Sequence, residues 1–130
     1  MSLIGSMRSS SSGMAAERFR MDVISQNIAG ANTIRTPKQD AYRRREVVLA
    51  PRPEGGVQVV QLRPDNTPLN AKFEPENEFA DAKGMVYYSN VQPITEMVDM
   101  LGASRAYEAN IAAFNTARSM AKAALNIGNV

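Results

Sequence analysis

Residues 94–128, ITEMVDMLGASRAYEANIAAFNTARSMAKAALNIG, decide the architecture. Met100, Tyr107, Phe114 and Ala121 recur every seven residues, and Ala103, Asn110, Ala117 and Ala124 follow each of them by three. Ile111 and Leu125 flank the same stripe. Residues spaced in this way share one side of a helix and form the seam of a helix pair. Small residues in the seam let two backbones approach closely. Asn110 is the polar member. An amide in a seam costs stability but fixes register, because a slipped helix leaves it unpaired. Pro93 stands just before this helix and Thr95 is its candidate cap. Glu96 and Asp99 near the start, and Arg118 and Lys122 near the end, complement the helix dipole. Gly128 is the candidate C-terminal cap.

The opposite end repeats the beat. Within residues 2–31, Met7, Met14, Met21 and Ile28 are also seven apart, with Leu3, Ile4 and Ile24 near that face. Methionines give such a face an adaptable surface. Ser9, Ser10, Ser11, Ser12 and Gly13 interrupt it. Serine competes for backbone hydrogen bonds and glycine adds backbone entropy, so helicity here depends on packing against a partner. The stretch is not expected to hold as a helix in the dilute free monomer; slow hydrogen exchange through residues 2–30 would refute that. As a membrane-surface helix it has few basic residues on its polar face and no aromatic beyond Phe19, so no membrane insertion is expected.

The middle, residues 37–92, differs in kind. It holds Pro37, Pro51, Pro53, Pro64, Pro68 and Pro75. Tyr42–Leu49 reads as a strand, Gly55-Gly56 as a turn and Val57–Leu62 as the antiparallel partner. Asp65–Pro68 reads as a further turn, and Val86-Tyr87-Tyr88 as one more short strand. The predicted fold class is α+β: long N- and C-terminal helices pairing as an α-helical coiled coil, with an inserted small β-hairpin-rich module. The expected segments are residues 1–36, 37–92 and 93–130. A module this thin needs the helices or a neighbour for stability.

Composition narrows the chemistry. The 130 residues include no Cys, His or Trp. Disulfides, thiol catalysis and thiolate metal sites are excluded, and the commonest general base is missing. The Ser9–Ser12 run has no His partner for nucleophilic catalysis. Net charge is +2, too small for a strong field toward nucleic acid. No apolar run is long enough to span a bilayer. The N-terminus reads without a secretory signal, so the chain is expected to be cytosolic or to leave by a route without a cleaved signal. Arg43-Arg44-Arg45 beside Tyr42 suggests a phosphate patch, but successive strand residues alternate faces. A solvated edge or intersubunit salt bridges is the better reading. Glu74, Glu76, Glu78 and Asp81 supply carboxylates for glycosidic acid/base work or calcium. Their spacing fits no calcium loop and nothing nearby would raise a pKa, so they read as an exposed acidic loop. No catalytic, cofactor-binding or metal site is expected, and no small-molecule substrate.

Ser25-Gln26-Asn27-Ile28-Ala29-Gly30-Ala31-Asn32-Thr33 resembles the Asn-rich N-terminal motif of the flagellar axial proteins of rod, hook and hook-filament junction. Arg35-Thr36-Pro37 and Tyr42-Arg43-Arg44 after it are similar to the proximal rod branch. Phe73-Glu74-Pro75 and Ala80–Val86 resemble the segment leading to that family's last helix. Glu96–Leu101, Ala103–Asn110 and Phe114-Asn115 resemble its C-terminal signature. Gly30 stands where Asn is usual, Lys38-Gln39-Asp40 replaces a glycine-containing turn, and Asn77-Glu78 replaces His-Pro.

The resemblance implies a structural subunit of the bacterial flagellar basal-body proximal rod. Such a subunit is exported by the flagellar type III apparatus without a cleaved signal peptide and polymerised into a torque-transmitting shaft in the periplasm. Implied partners are itself and other rod proteins. The expected subunit-packing residues are Met7, Met14, Met21, Ile28, Met100, Tyr107, Ile111 and Phe114. The expected register-setting amides are Asn27, Asn32 and Asn110. Two other classes compete: a peptidoglycan-acting enzyme using the acidic loop, and a basic nucleic-acid-binding coiled coil with steeply salt-dependent binding.

Overall fold

The computed structural model describes residues 2–129. Its elements are α1 (Leu3–Gly30), β1 (Arg45–Pro51), β2 (Val57–Pro64), β3 (Asn70–Phe73), β4 (Met85–Tyr88) and α2 (Pro93–Ile127). The strands form two two-stranded sheets, β1–β2 and β3–β4. In the second sheet Asn70 pairs with Tyr88 and Phe73 with Met85, antiparallel. The class is α+β with long paired terminal helices, as the seven-residue repeat predicts. Residues divide into two compact units, each drawn from α1, the middle and α2.

Unit 1 comprises Met1–Met21, Val47–Gln61 and Leu101–Val130. Ser2 caps α1: its Oγ accepts the Gly5 N–H at 2.9 Å. The α2 seam is the expected one. Ala103 and Ala117 are buried, and Tyr107, Asn110, Phe114 and Ala121 are half-buried. Ala124 and Leu125 are exposed, so the seam ends one turn early. Across it, α1 buries Ser10, Gly13 and Ala16 and half-buries Met7, Met14 and Met21. The methionines border the seam, and the small residues form its centre.

The serine run is helical throughout. Two packing contacts act on it. Ser10 is buried in the seam, and the tip of the β1–β2 hairpin rests on Ser9 and Ser12. Gly55 and Gly56 adopt left-handed φ of 101° and 87°, a turn that favours glycine. The Ser12 hydroxyl accepts the Val57 N–H at 3.1 Å and donates to Ser9 O at 2.7 Å. A side chain on Gly56 would run into the Ser12 hydroxyl. Short side chains on α1 and glycines at the tip therefore serve the same close approach.

Unit 2 comprises Asp22–Glu46 and Leu62–Met100. Its core gathers Val23, Ile24, Ala31, Ala41, Val86 and Val91. Helix α2 begins two residues before the expected Thr95 cap. Pro93 is its first residue, where a missing N–H costs nothing. Gln92 O accepts the Glu96 N–H at 3.0 Å, and the exposed Thr95 hydroxyl only donates to Gln92 Oε1 at 3.3 Å. At the far end, in unit 1, Gly128 N–H still reaches Ala124 O at 3.2 Å. Strand β1 starts at Arg45 rather than Tyr42. The preceding residues bond instead to side chains: Tyr42 N–H to Thr33 Oγ1 and Arg44 N–H to Asn90 Oδ1.

Candidate functional site

A polar cluster in unit 2 joins the end of α1, the entry to β1 and the start of α2. Glu96, in the first turn of α2, is 0% exposed. Burying a carboxylate is costly unless it is paired and hydrogen-bonded. Both of its oxygens are engaged: Arg44 Nε donates to Oε1, and Asn27 Nδ2 donates to Oε2 at 3.2 Å. Arg44 also donates through Nη1 to Glu46 at 2.8 Å and Asp65 at 3.3 Å, and its Nη2 lies 3.7 Å from Asp99. Burial works against the Arg44 charge, but the hydrogen bond and field of Glu96, and then those of Glu46, outweigh it. The guanidinium is held above its ordinary pKa. Asp65 sits below the usual carboxylate range, chiefly because Thr67 donates to it through hydroxyl and backbone N–H, with Arg44 adding to the effect.

Asn27 is the hub. Its Nδ2 donates to Arg45 O (3.0 Å) as well as to Glu96, and its Oδ1 accepts from Tyr42 OH (2.8 Å) and Arg45 N–H (3.1 Å). That uses all four hydrogen-bonding positions of the amide. Gly30, one turn on, is buried beneath the Tyr42 ring: a Cβ there would lie 2.5 Å from Tyr42 Cγ. Gly30 is thus a position where the ring leaves no room for a side chain. Among the described residues no buried side-chain N or O lacks a partner, and no cluster of acidic side chains is arranged to hold a metal ion. Every polar group here is committed to holding segments together.

The arginine triplet points to three different sets of partners, although only Arg45 lies in β1. Arg44 turns into the cluster. Arg45 donates to Gln26 and lies over the Tyr42 ring, 5.9 Å from its centroid, and Arg43 donates to Thr67 O at 3.2 Å. For Arg44 the expectation of a solvated edge or intersubunit pairs is corrected: its carboxylate partners Glu46, Asp65, Glu96 and Asp99 lie within the chain.

The acidic loop joins β3 to β4, and half of it is structural. Tyr88 OH donates to Glu74 at 2.9 Å, which raises the Tyr88 pKa. Asp81 Oδ1 accepts the N–H groups of Met85 and Lys83, each at 2.9 Å. Those bonds hold Asp81 below its ordinary pKa, the Met85 bond being the largest cause. Glu76 and Glu78 are exposed and make no such bonds.

Of the other expected contact residues, Met100 and Ile28 are half-buried in unit 2. Ile111 is 36% exposed and lies outside the seam, since one residue past Asn110 turns it about 100° around the helix. Asn110 does not bond α1. Its Nδ2 donates to Ala106 O of its own helix at 2.9 Å, and the amide faces Gly13. Asn32 is exposed. In the sequence Glu96 reads only as a dipole-complementing charge. Its spacing from Ala103 and Asn110, one heptad back in the seam, was the available signal for its burial.

Both units leave apolar side chains outside. Unit 2 exposes Ile94, Met97 and Val98 on one side of α2, with Ile94 at 79%. Unit 1 exposes Ile4, Leu101, Met120, Leu125 and Ile127, with Leu101 at 60%. Large apolar side chains grouped on one exposed face, as Ile94, Met97 and Val98 are, mark contact with other macromolecules.

Paired terminal helices in heptad register, latched by a saturated polar cluster and carrying outward apolar faces, define a structural assembly subunit. Comparisons agree. Residues 7–35 match the model of the flagella basal body rod protein family, and residues 82–127 that of the flagellar basal body rod FlgEFG protein C-terminal family. The chain is 39% identical to flagellar basal-body rod protein FlgC of Borreliella burgdorferi, over 98% of each chain. It is 36% identical to FlgC of Salmonella typhimurium and 34% identical to FlgC of Bacillus subtilis, in each case over 98% of this chain and 99% of the relative. The chain belongs to the flagellar basal-body rod protein FlgC family.

Proposed function

We propose that this chain is a structural subunit of the flagellar basal-body rod and assembles there with other basal-body components. The observation that carries the reading is the end-to-end likeness to FlgC proteins, together with helices whose seam is filled internally while apolar side chains remain outside. Within that role we infer a place in the proximal rod, in the periplasm, reached through the flagellar type III export apparatus. A chain without cysteine suits an oxidising compartment. An α1 whose central turn has weak propensity suits export in an unfolded state and folding on addition to the growing tip.

The mechanical task is to transmit torque without slip. Met7, Met14, Met21, Ile28, Met100, Tyr107 and Phe114 would set the thickness and rigidity of the helix pair, and Ile111 would reach a neighbour. Asn27, Asn32 and Asn110 would fix register. Asn110→Leu is expected to strengthen helix association but disturb assembly; normal swimming would count against the register role. We read the protein as non-enzymatic, since Glu74 is occupied by the Tyr88 hydroxyl. Unchanged zymograms after Glu74/Glu78 double substitution are the expected result.

The deciding experiment images basal bodies from a strain lacking this chain, alongside its motility. Rings without a complete rod and no swimming, both restored by the intact gene, are expected. Complete basal bodies and normal swimming would overturn the reading.

A further inference from the structure

Charge is distributed unevenly between the two units. Unit 1 carries seven basic against three acidic side chains, and unit 2 carries eight against ten. The nets are +4 and −2, which together give the chain's +2.

Part of the basic excess of unit 1 gathers at a cleft whose charged lining, Arg8 and Arg52 against Glu54, has a net of +1. Arg8, Ser11, Ser12 and Ala15 on α1 and Arg52, Glu54 and Gly55 at the hairpin tip line a cleft. Arg8 and Arg52 are exposed, and among the described residues neither side chain has a carboxylate within ion-pair distance. Arg44, by contrast, is engaged by four. The cleft is built by the hairpin resting on the serine run, so its two arginines are held on opposing walls.

The acidic excess of unit 2 has a matching projection. The β3–β4 loop is braced from within: Glu74 N–H to Gly84 O at 2.9 Å, Ala80 N–H to Asn77 O at 3.0 Å and Phe79 N–H to Asn77 Oδ1 at 3.0 Å. With the Tyr88–Glu74 and Asp81 bonds, this bracing leaves Glu76, Glu78 and the ring of Phe79 outward. A loop already ordered in its presenting shape loses little entropy on docking.

We propose that the Glu76–Phe79 tip of one copy docks in the Arg8/Arg52 cleft of a second copy of this chain. This inference rests on the rod-subunit reading. Glu76 and Glu78 pair with the two arginines, and Phe79 covers the apolar floor at Ala15. Opposite charges steer the encounter and suppress like-to-like contacts. The contact joins unit 2 of one molecule to unit 1 of the next, so it is heterologous. Repetition of such a contact extends an open helical array rather than closing a dimer.

The absence of native cysteine makes the test specific. Arg52→Cys and Glu78→Cys are placed in one chain and separately, and isolated basal bodies are run on non-reducing gels. The double variant is expected to give same-chain dimers and a ladder, co-expressed single variants a dimer alone, and each single variant neither. A second readout reverses charges: Arg52→Glu and Glu78→Arg are each expected to reduce swimming, and their combination to restore it. Normally assembled basal bodies without same-chain cross-links, cross-links to a different protein, or no mutual suppression would each overturn this contact while leaving the rod reading intact. Absence of the chain from basal bodies would overturn both.

Discussion

Replacing Gly13 with Ala is expected to destabilise the protein, although in a solvated helix the same change stabilises. Alanine is favoured over glycine by about 1 kcal/mol in a helix interior. At position 13 the new Cβ would lie 2.7 Å from Nδ2 and Oδ1 of Asn110 and 2.8 Å from its Cγ. Ordinary separations are about 3.5–4.0 Å. The amide cannot swing aside freely, because its Nδ2 holds Ala106 O at 2.9 Å. Overpacking costs about 1–3 kcal/mol, and a lost hydrogen bond about 1 kcal/mol more. Less the propensity gain, the net loss is about 1–3 kcal/mol. Gly102→Ala is the control: a Cβ there meets nothing within 4 Å, so a gain of about 0.5–1 kcal/mol is expected. Denaturant unfolding followed by helical circular dichroism reads both. In an Asn110→Ala background the Gly13→Ala cost should vanish or turn into a gain. If Gly13→Ala and Gly102→Ala shift the midpoint alike, or if removing Asn110 leaves the cost unchanged, the seam is not shaped by this fit and the reasoning fails.

Glu96→Ala removes the buried carboxylate, leaves one of the two Asn27 Nδ2 donors unpaired and strands Arg44 Nε. Arg44 keeps Glu46 and Asp65 and some solvent, so the loss expected in the same unfolding assay is about 2–3 kcal/mol, below that of a fully orphaned buried charge. Asp65 and Asp81 have folded pKa values below their ordinary 3.8. Their contribution is therefore complete above pH 3.8 and is lost as pH falls through the folded values; Asp81→Asn should flatten that acid limb of stability against pH. Tyr88 should ionise above its ordinary 10.0 in an ultraviolet titration, and Glu74→Gln should bring it back down. The same raised value means the Tyr88–Glu74 contribution is intact below pH 10.0 and declines as pH rises through the folded pKa.

The two helices were legible nearly to the residue because a heptad repeat is written locally. Residues 2–31 and 94–128 were expected, and Leu3–Gly30 and Pro93–Ile127 are found. The Gly55-Gly56 turn was legible for the same reason, since left-handed φ is a property of single residues. Strand β3, Asn-Ala-Lys-Phe, was not: only Phe73 of the four favours an extended form, and pairing with β4 makes them a strand. Thr95 looked like a cap by composition, but Pro93 at the first helical position moved the start.

By itself, the sequence determined the helix pair, its seam from Met100 to Ala121, the hairpin and the family, all carried by spacings within a few turns or by motifs in series. The tertiary structure alone decided what the polar residues do. Asn27, Arg44 and Glu96 are far apart in the chain, and whether a charge is solvated or buried depends on which elements close over it. The serines of α1 show the same division. Locally they weaken a helix, and only the hairpin lying against Ser9 and Ser12 and the seam closing over Ser10 explain why side chains so short stand there.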